Sequence, residues 1–492
     1  MPQFDYDLIV IGGGAAGLTA SGFGALMGAK TALIEAERLG GDCTWTGCIP
    51  SKTLLKAARV AHQIRTAERY GLKPGVPDFD FGALLDHVHK VQQAVYEEAD
   101  APPNMEGLGV EVVSGSAHFL DPHTIEIGSR QLSARFIVIA TGSRAAVPAI
   151  PGLAPGDFVT NETIFSLSRQ PRKLAVLGAG PAGIELAQAF RRLGSEVTVI
   201  NKDDRILQRD DAEQTALLQT LLEHEGVHFV RKSRLVGVQR FGERLELRVS
   251  HEGDTVSIIE ADTLLIAAGR EAQTANLNLP VAGVQYDNSG IPINRRCQTN
   301  VKHIYACGDV AVPPSGKLQF THMAEHMAKV AINNAILHFP AALDERTIPW
   351  CTFTDPELAH AGWGQHDLDK RGIRYQTYQL PFTKIDRAVT EGEAAGMIKV
   401  FASRGGRIYG VSILGLHAGE MASEYALAIR NGISMQAISA TMHAYPTLAL
   451  GNRALADQWL MRKRTPARVR WIQRIFGYRG RVVESPRLGK AD

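Results

Sequence analysis

The chain carries five cysteines among 492 residues, and two of them, Cys43 and Cys48, stand in the stretch G-G-D-C-T-W-T-G-C-I-P-S-K-T (40 to 53). Four residues separate the two thiols, and a proline and a lysine follow closely. A close pair in a chain otherwise poor in cysteine points to reversible disulfide chemistry or to metal binding. A structural zinc clip needs four ligands, and no second ligand pair at zinc spacing accompanies this one. Cys297, Cys307 and Cys351 stand alone in the sequence and read as small buried apolar residues.

A redox pair needs an electron supply, and two repeats of one local pattern offer it. The apolar run D-L-I-V-I (7 to 11) leads into G-G-G-A-A-G (12 to 17), a helical stretch, and a second apolar run, K-T-A-L-I-E, that ends in Glu35. Strand, glycines, helix, strand and terminal acid together make a dinucleotide fingerprint, since glycines let the backbone approach a pyrophosphate and the acid accepts from a ribose. The pattern recurs as K-L-A-V-L (173 to 177), G-A-G-P-A-G (178 to 183), a helix and E-V-T-V-I (196 to 200). Glu35 lies 23 positions after Gly12, and the equivalent position after Gly178 is Asn201, followed by Lys202 and Arg205. An acid there would repel a 2′-phosphate, whereas Asn with nearby cations tolerates or grips one, so the second site leans towards NADPH over NADH. Two dinucleotides in one chain suggest a flavin that takes hydride from nicotinamide and passes electrons onward.

From these motifs the chain is identified as a member of the flavoprotein disulfide reductases, the family of dihydrolipoamide dehydrogenase, glutathione reductase and mercuric reductase. The resemblance runs from about residue 5 to 460. It rests on the Cys43–Cys48 segment, I-V-I-A-T-G-S (137 to 143), L-L-I-A-A-G-R (264 to 270), N-V-K-H-I-Y-A-C-G-D-V (300 to 310) and W-C-T-F-T-D-P-E-L-A-H-A-G (350 to 362). It implies an α/β fold with two Rossmann-like dinucleotide-binding domains and a C-terminal α+β dimerisation domain in a homodimer. The boundaries expected are 1–150 for the first part of the FAD-binding domain, 151–275 for the NAD(P)-binding domain, 276–345 for the central part, 346–460 for dimerisation and 461–492 for a basic tail. Cys48 resembles the charge-transfer thiol beside the flavin and Cys43 the interchange thiol facing substrate. Pro50 suits the first turn of a helix whose dipole would favour a Cys48 thiolate. The resemblance also implies Lys52 near the flavin edge with Glu185 as its ion-pair partner. Gly12, Gly14, Gly17, Glu35, Gly142 and Asp309 would hold FAD, and Gly178, Gly180, Gly183, Asn201 and Lys202 would hold the nicotinamide nucleotide.

Two departures bear on function. Disulfide-reducing members carry H-P-T followed by a glutamate, an acid–base dyad that serves the partner subunit, whereas here H-A-Y-P-T-L-A-L (443 to 450) puts Tyr445 and Leu450 in those places. A tyrosine with pKa ~10 is a poor proton donor to a leaving thiolate, and His443, two residues earlier, is the one nearby imidazole. Mercuric reductases resemble this chain at Tyr445, and a thiophilic cation held by Cys43 and Cys48 leaves no thiol to protonate. Their C-terminal cysteine pair is missing, since no cysteine follows Cys351, and their metal-binding N-terminal domain is not expected either. The second departure is the tail: residues 461 to 492 hold ten Lys/Arg against Glu484 and Asp492, a net +8 that leaves about −6 for the rest of a chain whose formal charge is +2. Within it Val469, Ile472, Ile475 and Phe476 recur at helical spacing between arginines, with Trp471 alongside, a pattern that suits an anionic membrane, a partner protein or packing on the chain's own dimer.

The body's acidity argues against general nucleic-acid binding, and no apolar run or basic leader marks a membrane span or signal peptide, so a cytoplasmic location is expected. The reading favours an FAD enzyme passing electrons from NADPH, or NADH, through Cys43 and Cys48 to Hg(II) or another soft metal ion, with a quinone or small disulfide behind it. Its rivals are a dihydrolipoamide dehydrogenase-like enzyme and a membrane-held flavoprotein redox sensor.

Overall fold

A computed structural model describes residues 4–253 and 255–482. The chain divides into two compact units, residues 1–207 with 221–344, and residues 208–220 with 345–492. In the first unit the run read as a strand spans Tyr6–Ile11 and pairs in parallel with both Thr31–Glu35 and Arg130–Ile139. Val110–Ser114 extends this sheet beyond Thr31–Glu35, and Ile304–Ala306 joins Arg130–Ile139 on the far side. Leu8, Ile9 and Val10 are buried completely because both faces of a parallel sheet are covered; each such side chain contributes about 1.5–3 kcal/mol relative to exposure. A second, all-parallel sheet runs in the order Val227–Val230, Glu196–Ile200, Lys173–Leu177, Thr263–Ile266, Phe158–Val159. An antiparallel meander, Arg234–Phe241, Arg244–Ser250 and Val256–Ala261, is inserted in the chain between Val227–Val230 and Thr263–Ile266.

The second unit is built on a five-stranded antiparallel sheet, Pro349–Thr352, Glu357–Gly362, Ile408–Gly415, Met397–Ala402 and Gln376–Pro381 in spatial order. Tyr378, Ile398, Val400 and Ile413 from the strands meet Tyr425, Leu455 and Trp459 from helices Ala418–Asn431 and Leu450–Arg462 in one core. Lys399 points its ammonium at Asp211 (2.8 Å) and Glu213 (2.7 Å), which fixes the segment 208–220 to the sheet. With Lys399 and Asp211 6% and 7% exposed, each charge depends on the other. The architecture is α/β with two Rossmann-like sheets and an α+β C-terminal domain. Among the described residues no helix is long and apolar enough to cross a membrane.

Candidate active site

Cys43 lies on the short helix Gly41–Trp45, and Cys48 is the first residue of helix Cys48–Arg65. The helix therefore starts at the sulfur itself, two residues earlier than Pro50 suggests, and Pro50 still falls in the first turn, where a missing N–H costs nothing. Both cysteines are half-buried free thiols. The Cys43 thiol hydrogen-bonds the Cys48 sulfur, and Thr321 Oγ1 lies 3.4 Å from Cys48 Sγ. These two bonds, with the positive charge of Lys52, outweigh burial and lower the Cys48 pKa to about 6. Cys43 is pushed the other way, because it donates to Cys48 and is itself desolvated. The pair is thus asymmetric, with one thiolate and one thiol near neutral pH.

Lys52, one turn further along the same helix, meets Glu185 at 2.8 Å, with the Glu185 side chain only 5% exposed. Glu185 comes from helix Pro181–Leu193, so the ion pair joins the thiol-bearing helix to the one that opens the second glycine fingerprint.

The two fingerprints fold alike. A Cβ on Gly17 would lie 1.7 Å from Gly12 O, and one on Gly183 would lie 2.2 Å from Gly178 O, so each helix can press onto its turn only through glycine. Gly14 and Gly180 differ from these. They are the N-caps of helices Ala15–Leu26 and Pro181–Leu193 with no side-chain cap, and a Cβ on Gly180 would meet nothing within 4 Å, one on Gly14 only Gly41 Cα at 3.7 Å. Uncapped N–H groups facing open space are what a pyrophosphate requires, so the residues present fit two dinucleotides. Glu35 Oε2 accepts from Gly13 N at 2.6 Å and Oε1 from Glu37 N at 2.8 Å, which orients the carboxylate at the strand end. Gly142 takes a positive φ of 71° where the chain leaves the first sheet, and its carbonyl accepts from Gln273 N.

Asp309 accepts from Ser143 Oγ at 2.6 Å, and burial pushes its carboxyl up. Arg270 ties this group to the thiols: its guanidinium lies 3.6 Å from Asp309, 3.1 Å from Asp42 beside Cys43, and 2.8 Å from Ser143 Oγ. Neither Arg270 nor Thr321 was singled out by sequence reasoning. Arg270 closes the motif L-L-I-A-A-G-R and was open to discovery, whereas Thr321 stands 273 positions from Cys48 with no local signal.

The structure adds detail to three of the sequence readings. Asn201 is buried and turns its amide to the carbonyls of Asp203 (2.9 Å) and Arg205 (3.1 Å), so it shapes the loop from within. Lys202 is exposed in that loop, but Asp203 and Asp204 balance Lys202 and Arg205, and Asp204 meets Arg231 at 3.6 Å. Cys297 and Cys307 are fully buried, as expected, and hydrogen-bonded to each other, whereas Cys351 is only half-buried, near Glu357.

In the second unit Tyr445 is 73% exposed and donates to Asp386 Oδ2 at 3.2 Å. Leu450 opens helix Leu450–Arg462. The His443 side chain is 8% exposed, with Nδ1 3.0 Å from Thr441 O and Nε2 3.0 Å from Glu424 Oε1, and Asn452 donates to the other Glu424 oxygen at 2.8 Å. Both ring nitrogens are therefore engaged in holding the turn onto helix Ala418–Asn431. Among the described residues no group of three or more His, Cys, Asp and Glu side chains forms a metal site.

Residues 6–328 match the pyridine nucleotide-disulphide oxidoreductase family, and residues 348–454 match its dimerisation domain. The chain is similar to a mercuric reductase of Lysinibacillus sphaericus, 32% identical over 92% of this chain and 82% of that protein. It is 36% identical to a dihydrolipoyl dehydrogenase of Thermus scotoductus, over 92% of this chain and 97% of the relative. Its fold is similar to that of the HOCl-induced flavoprotein disulfide reductase RclA from Escherichia coli, with a TM-score of 0.81 at 24% identity over 92% and 99% of the two chains. The dimerisation domain fits a homodimer. The chain belongs to the pyridine nucleotide-disulphide oxidoreductase family, enzymes that carry FAD and draw on NAD(P)H.

Proposed function

We propose that this enzyme delivers electrons from NAD(P)H to a soft metal ion, with Hg(II) the best candidate, captured by Cys43 and Cys48. The observation that carries the reading is the lack of an available imidazole where disulfide-reducing relatives place their proton donor. Tyr445 stands there, and His443 has both nitrogens engaged. A leaving thiolate would go unprotonated, whereas a metal ion bound by two sulfurs needs no proton.

Gly12, Gly14, Gly17, Glu35, Gly142 and Asp309 would hold FAD, and Gly178, Gly180, Gly183 and Lys202 the nicotinamide nucleotide, with Asn201 shaping the loop that carries Lys202. FAD supplies the two-electron relay between nicotinamide and the sulfur pair. Within the chain, Cys48 keeps a thiolate through Cys43, Thr321 and Lys52. Cys43, the neutral partner, is the sulfur that exchanges with incoming ligands, and its proton leaves when an ion binds. Glu185 holds Lys52 in place and keeps that cation beside the thiolate. Similarity to mercuric reductases supports this reading. A second reading, dihydrolipoamide oxidation, draws on the 36% identity to a dihydrolipoyl dehydrogenase.

One pair of assays separates them. NADPH-dependent loss of Hg(II) in excess thiol should proceed with many turnovers, and NAD⁺-dependent oxidation of dihydrolipoamide should be slow. The double change Tyr445→His with Leu450→Glu should raise disulfide reduction roughly tenfold or more, within the ~10²–10⁴-fold range of general acid catalysis. Lipoamide turnover at the rate of Hg(II) turnover in the unmodified protein would overturn the proposal in favour of the second reading.

A further inference from the structure

Helix Pro466–Phe476 has chemistry that neither the dinucleotide sites nor the thiol pair uses. Its limits are written in the sequence: Thr465 caps it by accepting from Arg468 N, Pro466 takes the first position, and Gly477 ends it with a φ of 70°. None of its residues is buried. At about 100° per residue, Trp471, Ile475, Ile472, Phe476 and Val469 fall on one side, and Arg470, Gln473 and Arg474 on the other. Trp471 is 62% exposed, Ile475 52%, Phe476 63%, and Tyr478, stacked on Phe476, 63%. Large apolar side chains clustered in water at this level mark a contact surface.

The charge on this segment selects what makes the contact. Residues 461 to 482 contain Arg462, Lys463, Arg464, Arg468, Arg470, Arg474, Arg479 and Arg481 and no Asp or Glu. A second copy of the same segment across a two-fold axis would set eight positive charges against eight more. An acidic lipid surface complements them, and an apolar stripe carrying Trp, Phe and Tyr with flanking Arg matches the boundary between headgroups and acyl chains. Arg468, which falls within the apolar arc, can extend its guanidinium to the phosphates while its methylenes stay with Ile475 and Ile472.

We propose that helix Pro466–Phe476 docks the enzyme on the surface of an anionic phospholipid bilayer, with Trp471, Ile475 and Phe476 entering the interface and the arginines reading the headgroups. The contact is peripheral and reversible, and it is independent of which electron acceptor the thiols serve.

The test uses the full-length, FAD-loaded enzyme and vesicles of phosphatidylcholine alone or mixed with phosphatidylglycerol. Flotation should carry the protein with the mixed vesicles at low ionic strength and leave it in solution with the neutral ones. Trp471 fluorescence should be quenched by brominated phosphatidylglycerol, and the quenching should vanish in Trp471→Phe. The triple change Arg468→Glu, Arg470→Glu, Arg474→Glu should cut partitioning at least about tenfold, and Trp471→Ala with Phe476→Ala should do so while every charge is kept. NADPH oxidation and the dimer's sedimentation should stay unchanged in both variants. Equal partitioning on neutral vesicles, unaltered partitioning of either variant, or an absence of Trp471 quenching on anionic vesicles would overturn the proposal. Dissociation of the dimer by the same substitutions would instead assign the face to a second copy of the chain.

Discussion

Removing the Cys43 thiol should raise the pKa of Cys48 while leaving its sulfur in place, and the size of that change tests the account of the site. The Cys48 thiolate owes its value of about 6 first to the hydrogen bond from Cys43, then to Thr321 and Lys52, against an opposing burial cost. A drop from an ordinary thiol's 9.0 to about 6 corresponds to of order 4 kcal/mol favouring the thiolate, at 1.36 kcal/mol per unit. A hydrogen bond to a charged acceptor contributes about 1.5–3 kcal/mol, so Cys43→Ala should raise the Cys48 pKa by about one to two units. The thiolate fraction at neutral pH then falls from ~90% to between ~50% and ~10%, and alkylation by iodoacetamide slows about two- to tenfold, partly offset by the greater nucleophilicity of the more basic thiolate. Cys43→Ser is the control, because it too frees Cys48 from any disulfide but retains a donor. Titration of the thiolate absorbance, and of the thiolate-to-flavin band in FAD-loaded protein, should place the Ser variant within about half a unit of the reduced native enzyme. The direction is fixed: with a lowered pKa, reactivity appears as pH rises through about 6, and in the Ala variant that onset moves upward. Coincident titrations for Ala and Ser would show that Cys43 does not support the thiolate, and the reasoning from the hydrogen bond would fail.

Lys202→Glu should raise the KM for NADPH at least about tenfold and leave NADH nearly unchanged, because a phosphate contact to a charged side chain contributes about 1.5–3 kcal/mol; equal losses with both nucleotides would remove Lys202 from 2′-phosphate recognition, as the balancing Asp203 and Asp204 allow. Lys399→Met should lower stability by about 3–5 kcal/mol in urea or thermal unfolding, since Asp211 is left buried without its counter-charge, and adding Asp211→Asn should recover part of the loss.

Much of the fold was legible because its signals are local. The parallel strands at 6–11, 31–35, 173–177 and 196–200 follow from short apolar runs beside glycine turns, and helix Pro466–Phe476 from its Pro, its periodicity and its Gly. The contact between Lys52 and Glu185 had a different source, the family resemblance, since no spacing along the chain relates residues 133 positions apart. The last stretch of the tail, 483–492 with Glu484, Arg487, Lys490 and Asp492, lies outside the described residues.

The expectations that changed share one physical cause: charge and polarity were weighed along the chain, while the fold weighs them in space. Asn201 looked like a ligand group because it replaces an acid, yet its amide is consumed by two carbonyls of its own loop. His443 looked like a possible proton donor because it is an imidazole near the right place, yet Glu424, 19 positions earlier, meets it across the turn. Conversely, Asp42 reads as an ordinary charged neighbour of Cys43 until Arg270 is set between it and Asp309. A single guanidinium then serves two carboxylates that flank the thiol pair and the candidate flavin site, and burial pushes the pKa of one of them, Asp309, upward. The planar fork of arginine can span both, and a lysine's point charge cannot. That arrangement ties the backbone before Cys43 to the segment bearing Asp309, so the position of the Cys43 sulfur depends on the same group that organises the candidate flavin-binding residues.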